Sequence, residues 1–271
     1  MKKVAAINDL SGIGKCSLTV AIPILSALKV QCCPFPTAIL SSQTGFSQYT
    51  FLDLTDEMEK YSSVWKNLGL EIDTIFSGFL GSIHQIDIVS NFIKENPNSM
   101  VIVDPVLGDD GVLYPIFDKN TCEKMKDLVK LSDLITPNLT EACLLTNVEY
   151  KNNFSHEELK SIAKSLCCLG PSKVVITGII IDDKIYNLSY DKAKDSTYLY
   201  GLPYDRRSYS GTGDILVSII TGLITNNYDL EFAVKTASDF IYKSVSYTTN
   251  FERDRNQGVM FEMFLNDLTS I

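Results

Sequence analysis

The residues with the most chemical potential in this chain lie in Tyr209-Ser-Gly-Thr-Gly-Asp214, which runs into the apolar stretch Ile215-Leu-Val-Ser-Ile-Ile-Thr-Gly-Leu223. Gly211 and Gly213 permit a tight turn close to a ligand, and the stretch that follows has the length of a buried helix. A glycine turn that opens a helix aims unpaired N–H groups at one point, at the positive end of the helix dipole, and so makes an anion site. Asp214 then stands where a carboxylate faces a bound phosphate across a reacting hydroxyl. An ordinary N-cap would use the same residues, so the other polar positions must decide.

Those positions depend on the elements that carry them. Short apolar runs at Val4–Ile7, Cys32–Leu40, Thr74–Ser77, Met100–Asp104, Leu134–Thr136 and Lys173–Thr177 read as strands, with Lys184–Leu188 and Ser196–Leu202 as peripheral ones. Helical patterns cover Ser17–Leu28, with a kink at Pro23, Leu54–Leu70 and Ile83–Asn96. Glu141–Leu145 opens a further helix, and Ser155 followed by Glu158 has the form of a capping box. Two or three long helices after Gly211 are expected to reach Tyr247 and to run from Val259 to Leu268. Strands alternating with helices imply an α/β fold, a central mostly parallel sheet with helices on both faces. Ligands of such a sheet bind beyond the carboxyl ends of its strands. The polar residues there are Asn8-Asp9, Ser77-Gly78, Asp104, Thr136-Pro-Asn138 with Glu141, Thr177-Gly178, and Gly211 to Asp214. Their convergence on one edge is a site.

Two lures fail. Gly12-Ile-Gly-Lys15-Cys16 lacks the first glycine of a P-loop and puts Cys16 where Ser or Thr should hold magnesium. His84 has no carboxylate or serine at a telling spacing and reads as a helix-surface residue.

Composition sets the frame. The 271 residues are 45% hydrophobic and 21% charged, enough for one large globular unit over 1–271. A formal charge of −9 argues against a nucleic-acid partner, and no apolar run is long enough to span a membrane. The start of the chain reads as a buried strand, since Asn8 and Asp9 interrupt its apolar stretch. Seven cysteines without CxxC, with only two histidines, imply reduced thiols in a cytoplasmic protein.

Taken together, Ser77-Gly-Phe-Leu-Gly-Ser82, Val103-Asp-Pro-Val-Leu-Gly108, Ile135-Thr-Pro-Asn-Leu-Thr-Glu141, Val174-Val-Ile-Thr177 and Gly211-Thr-Gly-Asp214 resemble, in order and spacing, the segments of the pyridoxal (vitamin B6) kinases of the ribokinase-like superfamily. The resemblance covers nearly the whole chain. Ser41-Ser-Gln-Thr-Gly45 resembles that family's Ser-Asn-His-Thr-Gly loop, which contacts the pyridine ring, with Gln43 in place of the histidine. The start, Asn8-Asp-Leu-Ser-Gly12, is closer to the related hydroxymethylpyrimidine kinases.

The resemblance implies a ribokinase-like three-layer sandwich and ATP-dependent phosphorylation of a B6 vitamer at its 5′-hydroxymethyl group. Asp214 would be the general base, with Gly211, Thr212 and Gly213 forming the anion hole and facing the nucleotide. Asp104 and Glu141 would organise hydrated Mg²⁺. Asn138 and Thr177 would contact the nucleotide phosphates. Asp9 or Ser11, with Thr44 and Gly78, would meet the vitamer, and Tyr114 would cover the substrates. The resemblance further implies K⁺ and a homodimer. Two rivals stay open: another small-molecule kinase of the same fold, for hydroxymethylpyrimidine or less readily a sugar or nucleoside, and a non-catalytic binding regulator, which the presence of Asp214 opposes.

Overall fold

A computed structural model describes residues 1–204 and 206–271. In chain order the elements are β1 (Lys3–Ser11), α1 (Ser17–Ala27), β2 (Gln31–Leu40), β3 (Phe51–Asp53), α2 (Thr55–Asn67), β4 (Thr74–Ser77), α3 (Ile83–Glu95) and β5 (Met100–Val103). A small hairpin, β6 (Gly108–Asp109) and β7 (Val112–Leu113), leads to α4 (Lys119–Val129), β8 (Leu134–Ile135), α5 (Leu139–Thr146) and α6 (His156–Leu169). The chain ends with β9 (Lys173–Ile181), β10 (Lys184–Asp191), β11 (Ser196–Pro203), α7 (Thr212–Thr225), α8 (Leu230–Thr248) and α9 (Leu265–Thr269).

Nine strands form one sheet in the order β11-β10-β9-β8-β5-β4-β1-β2-β3. The middle strands, from β9 across to β2, are parallel, whereas β3, β10 and β11 join antiparallel at the edges. Alternation along the strands divides the core in two. Ala5, Ile7, Val101, Val103, Val174 and Ile176 face the helices α3 to α6, while Val4, Ala6, Ile102 and Val175 face α1, α7 and α8. This is the expected three-layer α/β sandwich. From β1 the chain goes to β2 on one side and later to β4 and beyond on the other, so the topological switch point lies between β1 and β4.

The sequence reading needs correction at particular places. No helix runs from Val259 to Leu268: Phe261–Phe264 is a 3-10 turn, and only Leu265–Thr269 is α-helical. Val259, Phe261 and Leu268 are nonetheless buried. Their apolar spacing reflects packing against α8 rather than a continuous helix. Strands β1 and β9 are longer than expected because polar strand ends, Asn8–Ser11 and Thr177–Ile181, continue the pairing. The short strand β3, the β6–β7 hairpin and helix α4 were not foreseen. The capping box at Ser155 and Glu158 is present, as expected, and His84 is exposed, near Glu59. All seven cysteines are free thiols. Among the described residues no helix is long and apolar enough to cross a membrane.

Candidate active site

The strand ends on either side of the switch point meet. Asn8 is buried in β1, just past the last pair with β4; its Oδ1 accepts from the N–H groups of Asp9 (3.0 Å) and Phe79 (2.9 Å). Its Nδ2 reaches Oδ1 of Asp214 at 3.5 Å. Any Cβ on Gly78 would collide with this carboxamide, so the glycine lets β4 close against Asn8.

Asp214 lies in the first turn of α7. Gly211, the N-cap, has φ +79°, and a Cβ there would strike the carbonyl oxygen of Lys15. Only glycine fits both demands. The first intrahelical bond runs from the Ile215 N–H to the Gly211 carbonyl (3.0 Å), so the N–H groups of Thr212, Gly213 and Asp214 precede the helix ladder and are available to an anion. Nothing would lie within 4 Å of a Cβ on Gly213, which leaves room beside them. The Thr212 hydroxyl donates to the Tyr209 carbonyl (3.1 Å) and pins the turn.

A second helix start also points at Asp214. The Ser17 N–H, at the beginning of α1, hydrogen-bonds the Asp214 carboxylate. Lys15 and Ser17 both hold positive φ, 51° and 52°, without being glycine. Such strain costs about 1–3 kcal/mol per residue and persists where the surroundings impose it. Burial pushes the Asp214 carboxyl up to about 6; the Ser17 and Asn8 hydrogen bonds hold it down, and the charge of Asp9 raises it. A carboxylate with that value is ionised at neutral pH yet basic enough to take a proton.

Asp9 is buried beside it, accepting from the hydroxyls of Ser11 (2.8 Å) and Ser17 (2.5 Å). Desolvation raises its pKa against those bonds. Asp9 and Ser11, expected to meet a ligand ring, are thus turned toward each other, with Asp9 also held by Ser17. The Cys16 thiol, pushed up to about 12 by burial and by the charges of Asp214 and Asp9, is a neutral wall of this chamber.

On the other side of Asp214 are Asp104 and Glu141. Asp104 accepts from the Thr136 hydroxyl (3.0 Å), and burial, with the charge of Asp214, pushes it up to about 7. Glu141 is buried and raised well above its ordinary value by desolvation and by Asp104. Its two oxygens accept from the N–H groups of Leu107 (3.1 Å) and Asn138 (2.8 Å), completing a capping box on α5. Asn138 returns the bond from Oδ1 to the Glu141 N–H (2.9 Å) and gives one amide hydrogen to the Gly108 carbonyl (2.8 Å). Its other amide hydrogen is uncommitted. Thr177, midway along β9, is bridged to Asn138 at the N-cap of α5. Tyr114, just past the β6–β7 hairpin, is 38% exposed, and its hydroxyl is raised by burial and by the charges of Asp109, Glu141, Asp104 and Asp214.

Two buried carboxylates with raised pKa values need a cation or protons. Among the described residues no group of three or more His, Cys, Asp or Glu could hold a metal directly. The donor set therefore suits a hydrated Mg²⁺ that keeps its waters and leans on one or two carboxylates and on substrate phosphates. Lys15, the lysine of the failed P-loop, points elsewhere, to Glu262 (2.8 Å) and the Val259 carbonyl (3.1 Å).

Thr44 is exposed on the loop between β2 and β3, with no short contact to the Asp214 cluster. Ser17 and Asn256 were absent from the sequence-derived candidates. Asn8 was marked only as a strand end; Ser17 and Asn256 carry no local signal, since their partners lie far along the chain.

The profile of a family described as phosphomethylpyrimidine kinase matches residues 22–259. A candidate phosphomethylpyrimidine kinase from Bacteroides thetaiotaomicron, in a crystal form with pyridoxal, is 42% identical with a TM-score of 0.95, over 98% of this chain and 95% of that one. The pyridoxal kinase of Lactobacillus plantarum is 29% identical with a TM-score of 0.92, over 100% and 97%. The pyridoxal kinase of Dictyostelium discoideum is 26% identical over 254 residues, 86% of this chain and 82% of that protein.

Proposed function

The chain belongs to the phosphomethylpyrimidine kinase family, and from that premise we propose that it is an ATP-dependent pyridoxal kinase that phosphorylates the 5′-hydroxymethyl group of a B6 vitamer. The observation that carries this reading is Asp214: a carboxylate tuned to about 6, in the first turn of a helix whose free N–H groups adjoin it. The hydroxymethyl oxygen attacks the γ-phosphorus, its proton passes to Asp214, and the bond from phosphorus to the ADP oxygen breaks. The N–H groups of Thr212, Gly213 and Asp214 hold the charge on the transferred group. Asn8 and the Ser17 N–H keep the Asp214 carboxylate oriented. Mg²⁺, with Asp104 and Glu141 behind its waters, would neutralise phosphate charge. Asn138, through its spare amide hydrogen, and Thr177 line the nucleotide side; Thr44 and Gly78 line the vitamer side, with Tyr114 above.

The whole chain acts as one kinase unit and as a homodimer. Edge strand β3 carries exposed Phe51 and Leu52, next to Ile39 of β2, and its outer backbone groups suit pairing with a second copy. Incubation with ATP, Mg²⁺ and each of pyridoxal, pyridoxine and pyridoxamine should give a monophosphate ester by mass spectrometry. No ester with any of the three would overturn the assignment.

A further inference from the structure

Residues 41–50 form a flap between β2 and β3 whose tip is almost bare: Thr44, Gly45 and residues 47–50 are exposed. A segment with so little burial has little stability of its own, and polar ties hold it down. The Gln43 N–H donates to the Ile13 carbonyl (2.8 Å), and the Gln43 side chain passes directly over Gly14, where any Cβ would collide with it.

The orientation of the Gln43 amide is fixed by its neighbours. The Gly45 N–H can only donate, so the oxygen of Gln43 faces it (2.7 Å) and the nitrogen faces Asn256. That nitrogen donates to Oδ1 (3.1 Å) and to the backbone carbonyl (3.3 Å) of Asn256. Asn256 in turn donates to the Gly45 carbonyl (3.0 Å). With its oxygen given to Gly45 and its nitrogen to Asn256, both ends of the Gln43 amide are committed within these loops.

The residue before Asn256 also meets the catalytic turn. The carbonyl of Arg255 accepts the Ser210 N–H (3.3 Å), next to Gly211. Gly258, at φ +69°, packs where a Cβ would lie 2.9 Å from the Gly14 carbonyl oxygen and 3.1 Å from that of Ser210. Loops 12–15, 41–46, 209–211 and 254–258 are therefore one hydrogen-bonded assembly.

We propose that Gln43 and Asn256 form an amide latch that closes the 41–50 flap over the vitamer and ties that closure to the Gly211 turn, making both of them positioning residues for phosphoryl transfer. The proposal rests on the kinase reading above. The latch sets where Thr44 and Gly45 stand and couples recognition of the ring to the geometry at the phosphate.

A double-mutant cycle of Gln43→Ala, Asn256→Ala and the pair tests it, with kcat/KM for pyridoxal as one readout. Chymotryptic cleavage within 41–50, in the absence of substrate, is the other. Each single variant should lower kcat/KM about fivefold, the scale of one net hydrogen bond. The pair should fall no more than about twofold below the worse single, because the two share one interaction. Flap cleavage should accelerate to a similar degree in all three, with unchanged melting temperature. Losses that multiply in the pair, or a flap cleaved no faster in either single variant, would overturn the latch. Should the wild type phosphorylate no vitamer, the kinase reading falls, while the cleavage cycle still decides whether the latch exists.

Discussion

The two ends of the site are built in different ways. At the phosphate end, the groups that face the reaction come from regular elements: the start of α7, the end of β5 with Asp104, and the capping box of α5. At the proposed ring end, position is set by side chains on two loops far apart in the chain, Gln43 with Asn256. Backbone donors at a helix start are placed by folding itself, whereas a loop-to-loop amide pair must be assembled. On the proposed assignment, the chemistry shared by phosphoryl transfer sits on the rigid part and the choice of acceptor on the adjustable part.

The sharpest break between the ends is expected from Asp214→Asn, which keeps size and an oxygen that can still accept a hydrogen bond but removes proton-accepting power. It should lower kcat about 10²- to 10⁴-fold while ATP affinity, measured by calorimetry, is retained. A kcat within threefold of wild type would reduce Asp214 to a structural acceptor for Ser17 and Asn8.

A smaller effect follows from the charges gathered at the phosphate end. Asp214 at about 6, Asp104 at about 7 and Glu141 well above its ordinary value are all raised by burial. The folded state therefore holds more protons than the unfolded one from about pH 4 to 7, and stability should rise as pH falls from 8 toward 5. Carboxylates that are lowered, such as exposed Glu158 at about 2, act below that window. Differential scanning fluorimetry should give a higher Tm at pH 5.5 than at pH 8, and Mg²⁺ with ADP should raise it more at pH 8. A Tm that falls toward pH 5.5 would mean that these groups are not desolvated together.

Least in size, Thr44→Val at the ring end should raise the vitamer KM about fivefold, one lost hydrogen bond, with kcat near wild type, as for a contact made equally in ground and transition states. A drop in kcat with unchanged KM would place Thr44 with the phosphate machinery instead.

The same division explains what the sequence disclosed. Gly211 to Asp214, Asp104 and the Asn138–Glu141 pair are local patterns whose meaning follows from helix starts and strand ends, and the structure brings them into one cluster. The apolar strands Thr74–Ser77 and Met100–Val103 were legible for the same reason, as short buried runs between helices. Val259–Leu268 was misread because buried residues at helical spacing also arise where an irregular segment packs on a helix. Strand β3 was invisible because its three residues are exposed and pair only with β2. The turning of Asp9 toward the hydroxyls of Ser11 and Ser17, and of Gln43 toward Asn256, depends on side-chain orientations that the strand and helix patterns do not encode.

The most direct test sets the acceptors against each other: pyridoxal and hydroxymethylpyrimidine in one reaction with limiting ATP and Mg²⁺, with the two monophosphates quantified. The ratio of products gives the ratio of kcat/KM values. The account requires pyridoxal phosphate to dominate. A hundredfold excess of hydroxymethylpyrimidine phosphate would leave the phosphate end as described and contradict the assignment of the acceptor.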